Sequence, residues 1–220
     1  VWWLDRRPGP PQVLEHGARS GLGWSVGLAT VAIGLWLLVL QSPDDRARVT
    51  VLDVGQGLAV LVEDRGQAVL IDTGPPDGVV VSALPGRIGR LDAIVLTHSD
   101  SDHAGGLGAL IDRVEVGAVL ASERTRGELE RETGVPLVGS SFDIGDEIGL
   151  GERTTIEVLS PPLATAGRGH ESDNDGSLVL LVTIGDRRIL VTADIEERAE
   201  QWLVESGQEL GADVLLVPHH

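Results

Sequence analysis

The chain has 220 residues, 42% of them hydrophobic and 23% charged, a composition that can bury a core and that excludes a wholly disordered polymer. It has no Cys, which excludes a disulfide scaffold and any thiolate-held zinc or iron–sulfur centre, so metal ligands must come from six His and 34 Asp or Glu. The formal charge of −17 is unevenly divided: residues 1–43 carry Arg6, Arg7 and Arg19 against Asp5 and Glu15, while residues 44–220 carry 14 Arg against 32 acidic residues, a net of −18. Such a surface repels a polyphosphate at long range, so contact with DNA would need a local Arg cluster, a metal centre or a neighbouring domain. There is no Met, and the chain stops directly after a strand-like run at its C-terminal end, so it reads as a piece of a longer protein.

Residues 1–20 read as a juxtamembrane segment. Gly21 to Leu40 is uncharged, and its 20 residues would span ~30 Å as a helix, the thickness of bilayer hydrocarbon. With a short linker this makes 21–43 a transmembrane segment. Trp24 and Trp36 lie toward its ends, where interfacial anchoring is favoured. Gly23 and Gly27 form a G-x-x-x-G pair suited to packing on other membrane helices. The Arg excess before the span points to residues 1–20 in the cytoplasm and the acidic part outside.

From Arg48 onward the pattern becomes short β-rich runs punctuated by Gly and Asp. Strands are predicted at 48–54, 58–63, 68–72, 92–97, 117–121, 155–159, 178–184, 188–192 and 213–217. Helices are predicted near 105–113, 123–133 and 195–207. Asp64-Arg65-Gly66 and Gly185-Asp186 read as hairpin turns. Residues 44–220 suit one domain, and a layered α/β sandwich fits them better than an alternating βαβ fold.

The densest chemical signal is Thr97-His98-Ser99-Asp100-Ser101-Asp102-His103, which follows the apolar run 91–96. Four possible ligands within six residues on a loop at a strand end can surround metal from two sides. Imidazole mixed with carboxylate suits zinc or manganese better than copper or calcium. A helix cap would explain one carboxylate but not two flanking histidines. Asp194 follows the apolar run 189–193, again at a strand end; alone it would read as a helix cap. His219 and His220 end the last strand, and His170 lies in a polar loop.

His98-x-Asp100-x-Asp102-His103 resembles the H-x-[HD]-x-D-H motif of the metallo-β-lactamase superfamily, which implies a four-layer αββα sandwich. Leu52-Asp53-Val54-Gly55-Gln56-Gly57 resembles the D-V-G-Q-G opening of the ComEC-type DNA-uptake family. Leu70-Ile71-Asp72-Thr73-Gly74, Asn174-Asp175-Gly176-Ser177-Leu178-Val179 and Val217-Pro218-His219-His220 are similar to further segments of that family, so the resemblance covers residues 50–220. It implies that His98, Asp100 and Asp194 hold one divalent ion, and that Asp102, His103, Asp194 and His220 or His219 hold the other, manganese or zinc in each case. It implies a supporting role for Asp72, under the ligand loop, and for Asp53, Gln56, Asn174 and Ser177. Two departures stand out: Asn174 is near the place of the superfamily's middle histidine, and Leu58 stands where many relatives carry Asp.

Paired divalent ions can stabilise the attacking and leaving oxygens of a phosphodiester, with water as nucleophile. Asp102 and Asp194 would then be the catalytic carboxylates. The resemblance implies a nuclease domain, acting on single- or double-stranded DNA, of a multi-pass channel in the cell membrane used in natural transformation. Two alternatives are a membrane-tethered hydrolase of another ester and a non-catalytic domain packed on the channel.

Overall fold

The computed structural model describes residues 27–34, 36, 46–160 and 173–218. The chain forms two compact units, residues 1–42 and 43–220. In the first, residues 27–34 and 36 are helical, and Leu28, Val31, Ile33 and Trp36 are exposed. No helix among the described residues is long and apolar enough to cross a membrane. The rest of the expected 21–43 span, and the 1–20 segment, lie outside the described residues.

The second unit carries two five-stranded sheets. The first comprises β1 (Arg48–Val51), β2 (Val60–Asp64), β3 (Gln67–Ile71), β5 (Ala93–Leu96) and β7 (Val119–Ala121), in that order across the sheet. Its first three strands are antiparallel; β3, β5 and β7 run parallel. The second comprises β8 (Glu147–Leu150), β9 (Thr154–Ser160), β10 (Val179–Ile184), β11 (Arg187–Val191) and β12 (Val214–Leu216), antiparallel until β12 joins β11 in parallel. A two-stranded ribbon pairs β4 (Arg90–Leu91) with β6 (Glu115–Val116).

Strand alternation explains why the apolar runs are continuous: both faces of each sheet are covered. Val60, Val62, Val69, Ile71 and Val95 point into the space between the sheets, where they meet Ile156, Val158, Leu180, Val182 and Val191. Their neighbours Leu61, Leu70, Ile94 and Leu96 point the other way. They pack on α1 (Val79–Ala83), α3 (Leu107–Ile111) and α4 (Glu123–Thr133) through Val80, Leu110 and Leu129. On the far side Val179, Leu181 and Leu190 meet Ala199 and Leu203 of α5 (Glu197–Glu205). Three cores between four layers make an αββα sandwich.

The 105–113 helix is corrected to two short pieces, α2 (Ser101–Ala104) and α3, with Gly105 and Gly106 between them. A Cβ on Gly106 would overlap the Thr73 carbonyl oxygen, so the chain turns here because backbones touch. The sequence reading missed α1, where three consecutive Val suggest a strand; burial of Val80 and capping of the Val79 N–H by Asp77 Oδ1 override that propensity. It also missed β8, half of which is solvent-facing. Both predicted hairpin turns are present, with Arg65 and Gly66 at positive φ in one and Gly185 in the other.

Candidate metal centre

The chemistry-bearing residues follow strand ends at one edge of the sandwich. Asp72 follows β3, Thr97 and His98 follow β5, and Asp194 follows β11. The two sheets are tied there by the Leu178 N–H donating to the Thr97 carbonyl at 3.0 Å. His98, His103 and Asp194 are all buried, and each offers a donor atom within 4.8 Å of the other two. The imidazole centroids are 4.2 Å apart.

Asp72 organises both histidines. Its carboxylate accepts the Thr97 N–H at 2.8 Å and the Thr97 hydroxyl at 2.8 Å, and it lies 2.7 Å from His103 Nδ1. Proton counting then fixes the rings. Thr97 spends its one hydroxyl proton on Asp72, so at 2.9 Å it accepts from His98 Nδ1–H. His103 Nδ1–H donates to Asp72. In both rings Nε2 is therefore the nitrogen turned to the cluster, and both Nε2 atoms are buried without a hydrogen-bond partner. An orphaned buried nitrogen is costly, and two of them converging on a buried carboxylate are what a divalent cation satisfies. His103 Nε2 and Asp194 Oδ2 are 3.3 Å apart but lack hydrogen-bond alignment.

The backbone is strained where it delivers these groups. Asp72 (φ 56°) and Ala193 (φ 48°) occupy the left-handed region unfavourable to residues with a Cβ. Asp72 is held there by its N–H bond to the Val95 carbonyl at 2.8 Å. Burial lowers the His103 pKa, but its hydrogen bond to Asp72 and the charges of Asp72, Asp194 and Asp102 override this and raise it to about 9. His98 shifts down, chiefly through burial, with the neighbouring His103 charge adding to the effect.

The other expected site residues fall into place less uniformly. Asp100 Oδ2 is 3.8 Å from His98 Nε2, and its side chain is 43% exposed. Asp102 is half-buried; neither it nor Asp100 belongs to the tight three-residue group. Asn174 donates from Nδ2 to Glu196 Oε1 at 3.2 Å, which turns its oxygen, the atom able to bind metal, to the other side. Ser177 is fully buried with its Oγ unpaired. Asp53 and Gln56 are exposed on the Gly-rich loop, where Asp53 Oδ1 accepts the Gly55 N–H at 3.4 Å. That loop presses on the ligand loop: a Cβ on Gly57 would overlap the Asp102 carbonyl, and Leu58 N–H donates to the same oxygen at 3.3 Å. His170, His219 and His220 lie outside the described residues. A pocket of about 100 Å³ opens beside His103 and Asp194, bounded by Gly57, Leu58, Ala193, Leu216 and Val217.

Sequence reasoning missed Thr97, Glu196 and Asp175. Thr97 is inside the motif, but only the fold shows that its one proton sets a tautomer. Asp175 Oδ1 accepts the N–H groups of Glu196 and Ala199 at 3.2 and 3.1 Å, capping α5 from a different segment.

This sandwich, with an imidazole and carboxylate cluster at its strand ends, defines a metallo-β-lactamase fold. The family model described as "Metallo-beta-lactamase superfamily" matches residues 52–220, and the chain belongs to that superfamily. Among curated proteins it is similar to competence protein ComA of Neisseria gonorrhoeae, at 33% identity over 81% of this chain and 24% of the relative. It is also similar to recombination protein 2 of Haemophilus influenzae (31%, 84% of this chain and 22% of the relative) and to ComE operon protein 3 of Bacillus subtilis (28%, 94% and 29%). These relatives bear out the ComEC-type resemblance, and the chain spans about a quarter of their length. Among solved structures, the metallo-β-lactamase MIM-1 from Novosphingobium pentaromativorans superposes with a TM-score of 0.57 at 19% identity, covering 80% of this chain and 75% of that one. That likeness concerns the fold. The fold implies binding of divalent metal, commonly zinc, and the two orphaned imidazole nitrogens beside Asp194 fit such an ion.

Proposed function

We propose that residues 44–220 are a divalent-metal-dependent phosphodiesterase that cleaves DNA as part of a membrane channel for DNA uptake. The observation that carries this reading is the convergence of His98 Nε2, His103 Nε2 and the Asp194 carboxylate, buried and mutually within 4.8 Å. Competence-related relatives favour nucleic acid over other esters as substrate. Helical residues that expose Leu28, Val31, Ile33 and Trp36 support a lipid or helix-packed setting for the segment around 21–43.

His98, His103 and Asp194 would hold metal, with Asp100, Asp102 and one of His219 or His220 completing a pair of manganese or zinc sites around Asp194. Bound there, divalent metal supplies charge for the phosphoryl oxygens and lowers the pKa of water. The chain's own residues supply the rest. Asp72 fixes both imidazoles through Thr97 and His103 Nδ1, so no reorientation is needed on binding. Asp102, half-buried in the ligand loop against Gly57, would orient the attacking water.

The test is metal-loaded protein offered a labelled oligonucleotide and, in parallel, an uncharged lactone. Cleavage of the oligonucleotide that chelator abolishes and added metal restores supports the reading. Turnover of the lactone alone, with intact DNA, would replace it with a hydrolase of another ester.

A further inference from the structure

The pocket beside His103 and Asp194 is lined by two kinds of side chain. Those two are polar, and Leu58, Leu216 and Val217 are apolar. The other two lining positions are a glycine and an alanine, so among the described residues no further polar side chain lines it. Leu58 joins the lining with its backbone already bonded. Its N–H donates to the Asp102 carbonyl at 3.3 Å, and its carbonyl accepts the Gly74 N–H at 2.9 Å. Leu216 pairs with Val191 of β11, three residues before Asp194, and its carbonyl accepts the Thr192 hydroxyl at 2.6 Å. Both leucines also pack on the core between the sheets, which fixes this apolar surface beside His103 and Asp194.

Size limits the occupant. A closed cavity of ~150 Å³ holds benzene. A pocket of about 100 Å³ therefore suits part of a furanose ring and not a base pair. A phosphodiester whose phosphate sits at His103 and Asp194 carries a sugar on each ester oxygen, so a sugar reaches the apolar surface whenever the phosphate reaches the polar side chains. Deoxyribose presents a 2′ methylene, which gains by leaving water against leucine and valine. Ribose presents a 2′ hydroxyl, a donor and acceptor that would lose water there and find no side-chain partner. Selection through a neutral sugar also needs no cation, in keeping with a domain that carries 14 Arg against 32 acidic residues.

We infer that Leu58, Leu216 and Val217 seat the sugar next to the scissile phosphate and make the site select deoxyribose over ribose. The inference rests on the phosphodiesterase reading and names the feature of the substrate that the pocket distinguishes. An apolar pocket rejects an added hydroxyl only modestly, so the expected preference is about 10- to 100-fold in kcat/KM. A polar side chain in place of Leu58 or Val217 gives the hydroxyl a partner and removes most of that preference.

The test offers metal-loaded full chain three oligonucleotides of one sequence, with deoxyribose, ribose or 2′-fluoro sugars, and measures cleavage net of the rate in chelator. Binding is read alongside, as displacement of a dye-labelled oligothymidylate by the 5′-monophosphates of thymidine and 5-methyluridine, which differ only at the 2′ position. The variants are Leu58→Asn and Val217→Asn; Val217 is 74% exposed, so its replacement should leave the fold intact. Each ratio compares two substrates on one protein, so a general loss of stability or metal cancels. Wild type should favour deoxyribose about 10- to 100-fold in both assays, and each variant should bring the ratio within about threefold of unity. The 2′-fluoro strand, which has no hydroxyl to desolvate, should be cleaved like DNA. Equal use of both sugars by wild type would overturn the inference, as would a preference unchanged in both variants. A fluoro strand rejected as strongly as RNA would also overturn it, and so would a wild type that neither binds nor cleaves. Selective binding that the variants lose, without any cleavage, would support the inference and remove the phosphodiesterase reading; cleavage of DNA and RNA alike would do the reverse.

Discussion

His103 presents Nδ1 to Asp72 at 2.7 Å, and Asp72 is wholly buried in a left-handed backbone conformation that few residues with a Cβ adopt. The strain at Asp72 is offset by the three hydrogen bonds its carboxylate receives, two from Thr97 and one from His103. A ligand-orienting carboxylate and a backbone kink are thus one feature, and disturbing either should disturb both.

Asp72→Ala is expected to cost about 3–5 kcal/mol in urea denaturation, because it strands a buried imidazole and a threonine N–H. Asp72→Asn, nearly the same size, should fold better yet bind metal about 10- to 100-fold more weakly, since an amide orients His103 poorly. Metal titration of the two variants separates the effects.

The His103 pKa of about 9 in metal-free protein exceeds the ordinary 6.5, so folding is coupled to proton uptake at this ring. Its contribution to stability is complete below about pH 6.5 and is lost as the pH rises through about 9. His98, shifted down by burial, acts oppositely and loses its contribution as the pH falls through its lowered value. Metal competes with the His103 proton, so affinity should climb from pH 6.5 to 9. Calorimetry at pH 7 in buffers of different ionisation enthalpy should report about one proton released per metal bound at this ring. Affinity flat across that range would contradict this assignment of the proton.

Two glycines make opposite predictions. Gly57 has φ 117° and faces the Asp102 carbonyl, so Gly57→Ala should destabilise by more than about 1 kcal/mol and lower metal affinity through the displaced loop. Gly127, inside α4 with open space around its Cα, should accept Ala with a gain of about 0.5–1 kcal/mol. Thermal melts of the two variants check both signs.

Asp175 caps α5 through the N–H groups of Glu196 and Ala199, and α5 begins three residues after Asp194. Asp175→Ala should cost about 1 kcal/mol, as for other lost caps, and should loosen the Asp194 segment enough to weaken metal binding. A stability loss with unchanged metal affinity would show that the cap and the ligand are uncoupled.

The central strands could be read directly, because covering both faces forces continuous apolar runs such as 93–96 and 179–184. The helix at 123–133 was legible to the residue, since Ser122 caps it and Gly134 stops it in a left-handed turn. The Val79–Ala83 helix was not, because its propensity favours a strand and only tertiary burial of Val80 decides otherwise. In the site, His98, His103 and Asp194 were legible as a motif and a strand-end carboxylate, and the fold brings those three together. Asp100 and Asp102 share the motif but not the tight cluster, although Asp100 Oδ2 comes within 3.8 Å of His98 Nε2. The partnerships of Asp72 with Thr97, Asn174 with Glu196 and Ser99 with Glu128 depend on how separate segments meet, which spacing along the chain does not encode.

The central claim is that His98, His103 and Asp194 form a metal centre. Its most direct test is elemental analysis after loading with zinc or manganese and exhaustive dialysis, on wild type and on His103→Ala and Asp194→Ala. The account predicts that wild type retains at least one ion per chain, while each variant loses metal yet keeps the far-ultraviolet circular dichroism of the sandwich. Wild-type metal content in both variants, or none in wild type, would contradict it.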